Sequence, residues 1–279
     1  MPKRIALAQM CSGIDPAANA LALQNHINEA AEQGAEILFT PEMTGLLDRD
    51  RGRAALNIRQ EQDDLVLQEA RDSAARNKIW VALGSLAIRP DVDNESKWVN
   101  RSFLINPSGQ ITARYDKIHL FDVDLDTGET WRESAAYQGG SKAITAPVGN
   151  ATVGLSICYD LRFSALFASL TDAGADILSI PAAFTVPTGK AHWEILLRAR
   201  AIEAGVFVVA ATQSGVHEDG RETYGHSMVI SPWGDVLLDM GSDTGVGLCD
   251  IDLADIAKIQ RRIPAISNRR AFALPKVSS

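Results

Sequence analysis

Two stretches of the sequence, Gly34-Ala35-Glu36-Ile37-Leu38-Phe39-Thr40-Pro41 and Gly174-Ala175-Asp176-Ile177-Leu178-Ser179-Ile180-Pro181, match closely at a constant spacing of 140 residues, from 34 to 174 and from 41 to 181. Each is a short apolar run that follows a helical pattern, as buried strands of α/β proteins do. The match predicts an internal repeat, with the chain folded as two similar halves. Chance similarity is the alternative, because buried strands that follow helices draw on few residue types.

The predicted elements follow one order in both halves: strand, helix, strand, helix, strand and hairpin. The first half predicts helices over 16–33 and 61–78, strands over 5–9, 36–40 and 80–88, and a hairpin of 99–105 with 111–115. The second half predicts helices over 161–173 and 191–204, strands over 151–157, 176–180 and 206–212, and a hairpin of 226–230 with 235–239. Continuous apolar strands such as 206–210 indicate sheets that are covered on both faces. We therefore expect an α/β fold, a four-layer α-β-β-α sandwich with two internally similar halves.

Composition and charge exclude several classes of protein. The chain has 279 residues, 46% of them hydrophobic and 22% charged, which is typical of a globular protein. We expect a single domain over 1–279 with a C-terminal arm from about 265 onward. A net charge of −8 without a basic run argues against nucleic acid as a partner, and no apolar run is long enough to cross a membrane. The N-terminus has the pattern of a strand and not of a signal peptide, so we expect a cytoplasmic protein.

Cys158 is the best-placed candidate nucleophile of the three cysteines. It lies between the predicted strand 151–157 and the predicted helix 161–173. A strand-to-helix turn projects a side chain outward, and the N–H groups of a helix start favour a thiolate and bind an oxyanion. A core cysteine is the alternative, and we prefer it for Cys11 and Cys249, which no such turn follows. The odd number of cysteines argues against a disulfide framework.

Motifs for cofactors are incomplete in this sequence. His192-Trp193-Glu194 matches half of the zinc deaminase signature, whose paired cysteines are absent. Gly245-Val246-Gly247-Leu248 begins like a dinucleotide fingerprint, but the chain then continues as a strand. We therefore expect no metal and no cofactor. The five histidines lie outside any local cysteine-protease signature, which leaves a cysteine peptidase as an open alternative without support.

Two more polar residues lie at strand ends, where α/β proteins place catalytic groups. Glu42 follows the predicted strand 36–40, and Lys117 follows the hairpin strand 111–115. Taken singly, a solvated turn residue or a surface charge is the alternative for each. Taken with Cys158 and in this order, they resemble the Glu-Lys-Cys triad of the nitrilase superfamily of carbon-nitrogen hydrolases.

The resemblance covers nearly the whole chain, from Ile5 to Pro264. It includes the segments around the triad, which are Ile157-Cys158-Tyr159-Asp160-Leu161-Arg162-Phe163, Ala191-His192-Trp193-Glu194, Tyr224-Gly225-His226-Ser227-Met228 and Pro232-Trp233-Gly234. It implies the same four-layer sandwich, at least a homodimer, and no cofactor. Glu133 matches a second glutamate that many members carry in the active site, and a loop carboxylate is its alternative.

The resemblance also implies a mechanism, hydrolysis of an amide through a thioester on Cys158. Glu42 would accept the thiol proton, and Lys117 with the backbone N–H of Tyr159 would stabilise the oxyanion. We expect the positive Lys117 to favour the charged forms of both Glu42 and Cys158. Nitrile or N-carbamoyl hydrolysis and amide transfer remain alternatives. A non-enzymatic interaction protein is a further alternative, which the intact triad argues against.

The substrate is expected from the branch that the sequence resembles most, the small amidases that include deaminated-glutathione amidase and omega-amidase. We expect a small linear carboxamide that carries a carboxylate and is hydrolysed to acid plus ammonia, with deaminated glutathione the first choice and 2-oxoglutaramate the second. Candidate partners for the carboxylate are Arg162, Lys190, His217 and Arg221, with solvated surface charges as the alternative. Ser164-Ala165 and Lys190 depart from the branch's usual Pro-Glu and Pro, which bears on the substrate and not on the reaction.

Overall fold

Two six-stranded sheets form the centre of the computed structural model, which describes residues 3–90, 97–124 and 130–273. The strands are β1 (Lys3–Gln9), β2 (Ile37–Phe39), β3 (Trp80–Ile88), β4 (Val99–Ile105), β5 (Ile111–Asp116), β6 (Asp122–Asp124), β7 (Thr130–Arg132), β8 (Ile144–Val148), β9 (Ala151–Leu155), β10 (Ile177–Ser179), β11 (Phe207–Ala210), β12 (Ser214–Val216), β13 (Glu222–Tyr224), β14 (Met228–Ile230), β15 (Val236–Asp239) and β16 (Gly245–Ile251). The helices are α1 (Pro16–Glu32), α2 (Arg51–Asn57), α3 (Leu65–Asn77), α4 (Ser164–Asp172), α5 (Val186–Ala204) and α6 (Ala254–Arg262).

The two sheets have the same topology. The first has the order β16-β1-β2-β3-β4-β5, and the second, read from β8, has the order β8-β9-β10-β11-β14-β15. In each sheet three central strands are parallel, and an antiparallel strand pairs with either side of this group. The prediction of two internally similar halves is therefore confirmed.

The repeated sequence forms the same turn in both halves. Gly34 and Gly174 have φ values of 79° and 86°, a left-handed conformation in which glycine avoids the steric cost of a Cβ. In each copy the alanine that follows donates its N–H to the carbonyl five residues earlier in the helix, at 2.9 Å in the first half and 3.1 Å in the second. This turn ends the helix and leads directly into the central strand. The glycine therefore has the same structural role in both halves.

Both faces of each sheet are covered. Along β1, Ile5 and Leu7 belong to a core that also contains Val153 of β9, whereas Ala6 lies in a second core with Leu23 of α1. Helices α1 and α3 cover the outer face of the first sheet, and α4 and α5 contact the strands of the second. The order of layers is helix, sheet, sheet, helix, so the predicted four-layer sandwich is confirmed.

Three helices begin at different residues from those predicted. Helix α4 starts at Ser164 and not at 161, because Cys158–Arg162 forms a separate 3₁₀ helix before it. Helix α3 starts at Leu65 because the Asp64 carboxylate accepts hydrogen bonds from the first-turn N–H groups, and residues 61–63 form a separate 3₁₀ turn. Helix α5 starts at Val186, five residues before the predicted start. Its second residue is Pro187, which a first helical turn tolerates because it needs no intrahelical donor there.

The sequence analysis missed several short elements. They are α2, α6, β8, the β6–β7 pair and the β12–β13 hairpin. After α6 the described chain to residue 273 contains turns and mostly exposed side chains, and the predicted C-terminal arm begins in this segment. The single-domain assignment stays a prediction. Among the described helices, we find none with the length and apolar content that crossing a bilayer requires.

A close approach between two backbones holds the loop that carries Glu42. The pairing of β3 with β4 shifts register between Leu83 and Leu86, and in this irregular stretch the Gly84 N–H donates to the Thr40 hydroxyl at 2.9 Å. A Cβ at Gly84 would lie only 2.1 Å from the Thr40 carbonyl oxygen. Glycine at this position is therefore what lets β3 pack against the loop that leads to Glu42.

We expect Gly84→Ala to lower the free energy of unfolding by about 1 to 3 kcal/mol, since overpacking a tight contact forces the backbone to move. Activity should fall as well, because the displaced loop carries Glu42. Gly52→Ala is the matched control. Gly52 lies in α2, and a methyl group added there would meet only the side-chain oxygen of Asp50, at 3.3 Å. Denaturant unfolding and turnover measure both effects, and equal stability of the two variants would show that the contact at Gly84 is not restrictive.

Candidate active site

Three strand ends bring the predicted triad to the floor of one cavity. Glu42 follows β2 and Lys117 follows β5 in the first sheet, whereas Cys158 follows β9 in the second. All three side chains are buried and line a cavity of about 470 Å³. A cavity of this volume is in the range that encloses a small-molecule ligand.

Lys117 is held between two carboxylates. Its Nζ donates to Glu42 Oε1 at 2.9 Å and to both oxygens of Glu133, at 3.1 Å and 2.9 Å. The side-chain amide of Asn100 donates to the same two glutamates, at 2.9 Å and 3.3 Å, and the backbone N–H of Phe121 donates to Glu133 at 2.7 Å. Each carboxylate is thereby fixed from more than one direction, and the ammonium group of Lys117 has little freedom to move.

Cys158 has an unusual backbone conformation. Its φ is 49°, in the left-handed region that residues with a side chain rarely adopt. Its N–H donates to the Pro181 carbonyl at 2.8 Å, in the strand-end segment that the sequence repeat identifies. Tyr159 lies in the first turn of the 3₁₀ helix Cys158–Arg162, where a backbone N–H has no intrahelical acceptor. The turn therefore offers a sulfur atom with a free donor next to it, as nucleophile turns do.

The charge balance of the floor sets the protonation states of these groups. Burial works to raise the pKa of Glu42, but the charge and hydrogen bond of Lys117 outweigh it and leave that pKa below its usual value. Burial also opposes the charge of Lys117, yet the carboxylates of Glu133 and Glu42 raise its pKa well above the ordinary value. The raised pKa favours the charged form of Lys117, which suits a hydrogen-bond donor and not a proton acceptor.

For Cys158, Lys117 acts in the expected direction and lowers the pKa of the thiol, but other groups outweigh it. Burial raises its pKa well above the ordinary value, the Glu42 charge adds to this, and the opposing effect of Lys117 is smaller. The physical reason is that Lys117 already neutralises one of two glutamates, so an additional thiolate would be a second uncompensated anion on a buried floor. This charge balance favours the neutral thiol over the thiolate.

Asp160 links the two strand ends and was not identified from the sequence. It is fully buried, and its carboxylate accepts hydrogen bonds from the hydroxyl of Tyr115 at 2.6 Å, from Nδ1 and the backbone N–H of His119 at 2.7 Å and 3.0 Å, and from the Ile157 N–H at 2.9 Å. Tyr115 and His119 lie two residues before and after Lys117. One carboxylate thus joins the Lys117 segment to the turn that carries Cys158. The sequence signal that could have identified Asp160 was its position two residues after Cys158, in Cys158-Tyr159-Asp160.

The four candidate partners of a substrate carboxylate lie in different places. Arg221 lines the cavity, with a side chain that is 17% exposed. Of the other three, Lys190 is exposed on α5, His217 is buried and bonded to Ser12 and Thr223, and Arg162 contacts His192. These three lie outside the cavity wall that the described residues form. Of the four candidates, only Arg221 therefore lines the described cavity, a distinction that sequence position alone did not give.

The outer wall of the cavity differs in charge from its floor. Besides Arg221, the cations of the wall are Arg49, Arg51 and Arg132, and Asp48 is bonded bidentately to Arg53. The aromatic residues of the wall are Trp98, Phe121, Trp131, Tyr137, Tyr159 and Phe184. Within the ranges that the structure describes, no three His, Cys, Asp or Glu side chains are grouped so as to hold a metal ion.

Comparison with known proteins agrees with this geometry. The family described as Carbon-nitrogen hydrolase matches residues 4–261. The chain is 39% identical to the nitrilase and fragile histidine triad fusion protein NitFhit of Drosophila melanogaster, with 95% of this chain covered, and it spans only 57% of that protein's length. It is 37% identical to the deaminated glutathione amidase of Yersinia enterocolitica, over 98% of this chain and 96% of that protein. Among solved structures, a double mutant of the amidase from Nesterenkonia sp. AN1 in complex with acrylamide aligns with a TM-score of 0.80 and 26% identity, over 96% of this chain and 94% of that one.

The protonation state of Cys158 can be tested by titrating its thiolate through ultraviolet absorbance, in a background in which Cys11 and Cys249 are replaced by serine. We expect the thiol form at neutral pH. Glu42→Gln should lower the pKa of Cys158 because it removes the anion that raises it, and Lys117→Met should raise this pKa further because it removes the opposing cation. A thiolate already present at neutral pH, or shifts of the opposite sign, would contradict the charge balance described here.

Proposed function

Because this chain belongs to the carbon-nitrogen hydrolase family, we propose that it is a cysteine amidase that hydrolyses a small, carboxylate-bearing amide through a thioester on Cys158. The observation that carries this proposal is the meeting of a buried thiol in a left-handed turn with the Lys117–Glu42 ion pair on one cavity floor. An amide is a poor electrophile with a poor leaving group, so its hydrolysis needs a nucleophile, an oxyanion donor and a proton source together.

In the first half-reaction, Glu42 accepts the proton of the Cys158 thiol while the sulfur attacks the carbonyl carbon. This route suits the electrostatics of the floor, because moving the proton to Glu42 leaves the buried charge unchanged, whereas losing it to solvent would add a second uncompensated anion. Lys117 and the N–H of Tyr159 stabilise the oxyanion of the tetrahedral intermediate. Glu42 then gives its proton to the departing nitrogen, the carbon-nitrogen bond breaks, and a thioester remains.

In the second half-reaction, Glu42 removes a proton from the water that attacks the thioester. The carbon-sulfur bond then breaks, Glu42 returns the proton to the Cys158 sulfur, and the acid is released. Glu133 acts through Lys117, since both of its oxygens bond to the ammonium group and keep it aimed at the reacting carbonyl. Lys117 does not exchange protons in this scheme, because its raised pKa keeps it charged throughout.

The proposed substrate follows from the wall of the cavity and from the relatives. Arginines on the wall favour an anionic group beside the scissile amide, and deaminated glutathione is the first choice because a relative covered over nearly its whole length carries that name. Glutathione contains secondary amides only, so with its deaminated form the leaving group is an amine and not the ammonia first expected. An omega-amide such as 2-oxoglutaramate is the second candidate. It is favoured by the structure of a similar amidase with acrylamide, a primary amide that would release ammonia.

We further propose that the chain acts as a homodimer or a larger assembly of identical copies, as the family resemblance implies. In support, a shallow apolar groove on the surface is lined by Ile202, Trp233 and Ile263, all of them substantially exposed in the single chain. Contiguous exposed apolar surface of this kind is typical of protein interfaces.

The experiment that tests the proposal measures acid and amine release from a panel of amides by wild type and by Cys158→Ala. We expect wild type to hydrolyse deaminated glutathione or 2-oxoglutaramate, and Cys158→Ala to lose turnover while its melting temperature stays near that of wild type. Cys11→Ala and Cys249→Ala are matched controls outside the cavity wall and should remain active. More than a few per cent of wild-type activity in Cys158→Ala would refute the thioester route.

The assigned roles of Lys117 and Glu42 predict distinct costs in turnover. Lys117→Met removes a charged oxyanion donor, whose loss costs about a hundredfold to a thousandfold in kcat. Glu42→Gln should cost at least as much, because both half-reactions use its proton transfer. Steady-state rates, with circular dichroism to check folding, make the comparison. A folded variant of either kind with a rate within tenfold of wild type would show that its residue has another role.

A further inference from the structure

Arg221 is a largely buried cation on the cavity wall, and its guanidinium makes no hydrogen bond to the residues that the structure describes. Its closest acid is Asp219, at 3.5 Å from Nη2, and the oxygens of Asp219 already accept the backbone N–H groups of Arg49 and of Arg221 itself. The Nε atom is buried and has no partner among the described residues. The ion pair with Asp219 is long and leaves Nε unsatisfied, and a buried polar group without a partner is costly, so its retention in a cavity wall points to a ligand that pairs with the guanidinium.

Aromatic stacking fixes where this guanidinium lies. The Arg221 guanidinium carbon lies 4.8 Å from the centre of the Trp131 ring, within the range of a cation–π contact. Trp131 also lines the cavity. Because Arg221 is held by this stack and not by a bidentate ion pair, its remaining N–H groups stay available to an incoming acceptor.

A helix start lies next to Arg221. Thr223, two residues further on, pairs with Thr185, which immediately precedes the 19-residue helix α5. The Thr185 side chain makes no cap hydrogen bond and instead contacts the Thr188 hydroxyl at 2.8 Å, and both threonines line the cavity. The positive end of this helix therefore lies beside the part of the cavity that Arg221 lines, with the N–H groups of Val186 and Thr188 as first-turn donors, since Pro187 has none.

The other cations of the wall are less suited to a buried anion. Arg132 makes a bidentate pair with Asp124, and Arg51 donates to the carbonyl of Arg132. Arg49 is exposed to solvent, which weakens its attraction for an anion. Within the described wall, Arg221 alone combines low exposure, a guanidinium whose only ion pair is the 3.5 Å contact with Asp219, and a neighbouring helix start.

We propose that Arg221 and the first turn of α5 form a seat for the substrate carboxylate that lies at the end remote from the scissile amide. The inference rests on the proposed amidase function and names its substrate class, the monoamides of dicarboxylic acids and acyl amides with a comparable terminal carboxylate. A neutral amide leaves the seat empty. Glu42 and Glu133 outnumber Lys117 on the floor, so the carboxylate is repelled there and the amide enters in one orientation only.

The negative charge of the cavity floor also affects product release. Hydrolysis converts the neutral amide into a second carboxylate, and this charge forms beside Glu42 and Glu133 on the floor. A substrate that the floor tolerates thus becomes a product that the floor repels. The seat at Arg221 selects the substrate, and the floor expels the acid.

The test compares glutaramate with valeramide, two primary amides of the same chain length that differ in the terminal carboxylate. In wild type we expect a higher kcat/KM for glutaramate, and in Arg221→Met we expect the ratio of the two kcat/KM values to fall by about 10-fold to 150-fold, as the loss of one charge-assisted hydrogen bond implies. The loss should lie mainly in KM. Arg221→Lys should recover part of the ratio. Lys190→Met, which removes an exposed cation from α5, is the matched control and should keep the wild-type ratio.

The outcomes separate the seat from the proposed function. A wild type that hydrolyses both amides equally well, or an Arg221→Met ratio equal to that of Lys190→Met, overturns the seat and leaves the amidase standing. If wild type hydrolyses no amide, the proposed amidase function is wrong. The carboxylate seat is then tested by itself, by calorimetric binding of glutaramate to Cys158→Ala with and without Arg221→Met. Binding that weakens about tenfold or more supports it, and equal binding overturns it. Melting curves confirm that each variant is folded.

Discussion

The ion pair of Lys117 with Glu42, buried at 2.9 Å on the cavity floor, is the constraint on which the rest of the structure depends. Burying two charges is costly unless the pair is well oriented and its remaining hydrogen-bonding groups are satisfied. Glu133, Asn100 and backbone N–H groups meet that need. These groups come from separate strand ends, so the fold must hold all of those ends in register.

The two halves of the fold are joined at this point. The first half supplies Glu42 and Lys117, and the second supplies Cys158 and the backbone N–H of Ala183 that donates to Glu42 Oε2 at 3.0 Å. Asp160 ties the Lys117 segment to the nucleophile turn through four hydrogen bonds. Neither half contains a complete site, and the duplicated topology matters because it brings equivalent strand ends to one cavity.

The sequence was informative where local chemistry decides the structure. The glycine turns and apolar strands of the repeat predicted two similar sheets, and polar residues at strand ends identified Glu42, Lys117 and Cys158. Short elements such as α2 and α6 were missed because they span only 7 and 9 residues, fewer than the window over which a helical period is read. Asn100 and Asp160 act through contacts across the chain that no local pattern shows. The thiol state of Cys158 follows from the sum of several buried charges, which requires their distances, and only the cavity separates Arg221 from Arg162, Lys190 and His217.

The central claim is that the acyl group of the substrate passes through Cys158, and the most direct measurement traps that intermediate. Wild type is mixed rapidly with deaminated glutathione or 2-oxoglutaramate and quenched in acid, and the peptide that contains Cys158 is examined by mass spectrometry. We predict that this peptide gains the mass of the substrate acyl group within the first turnover and loses it again as the acid appears. Formation of acid over the first turnover without an acyl group on Cys158, or with the acyl group on another residue, would contradict the account.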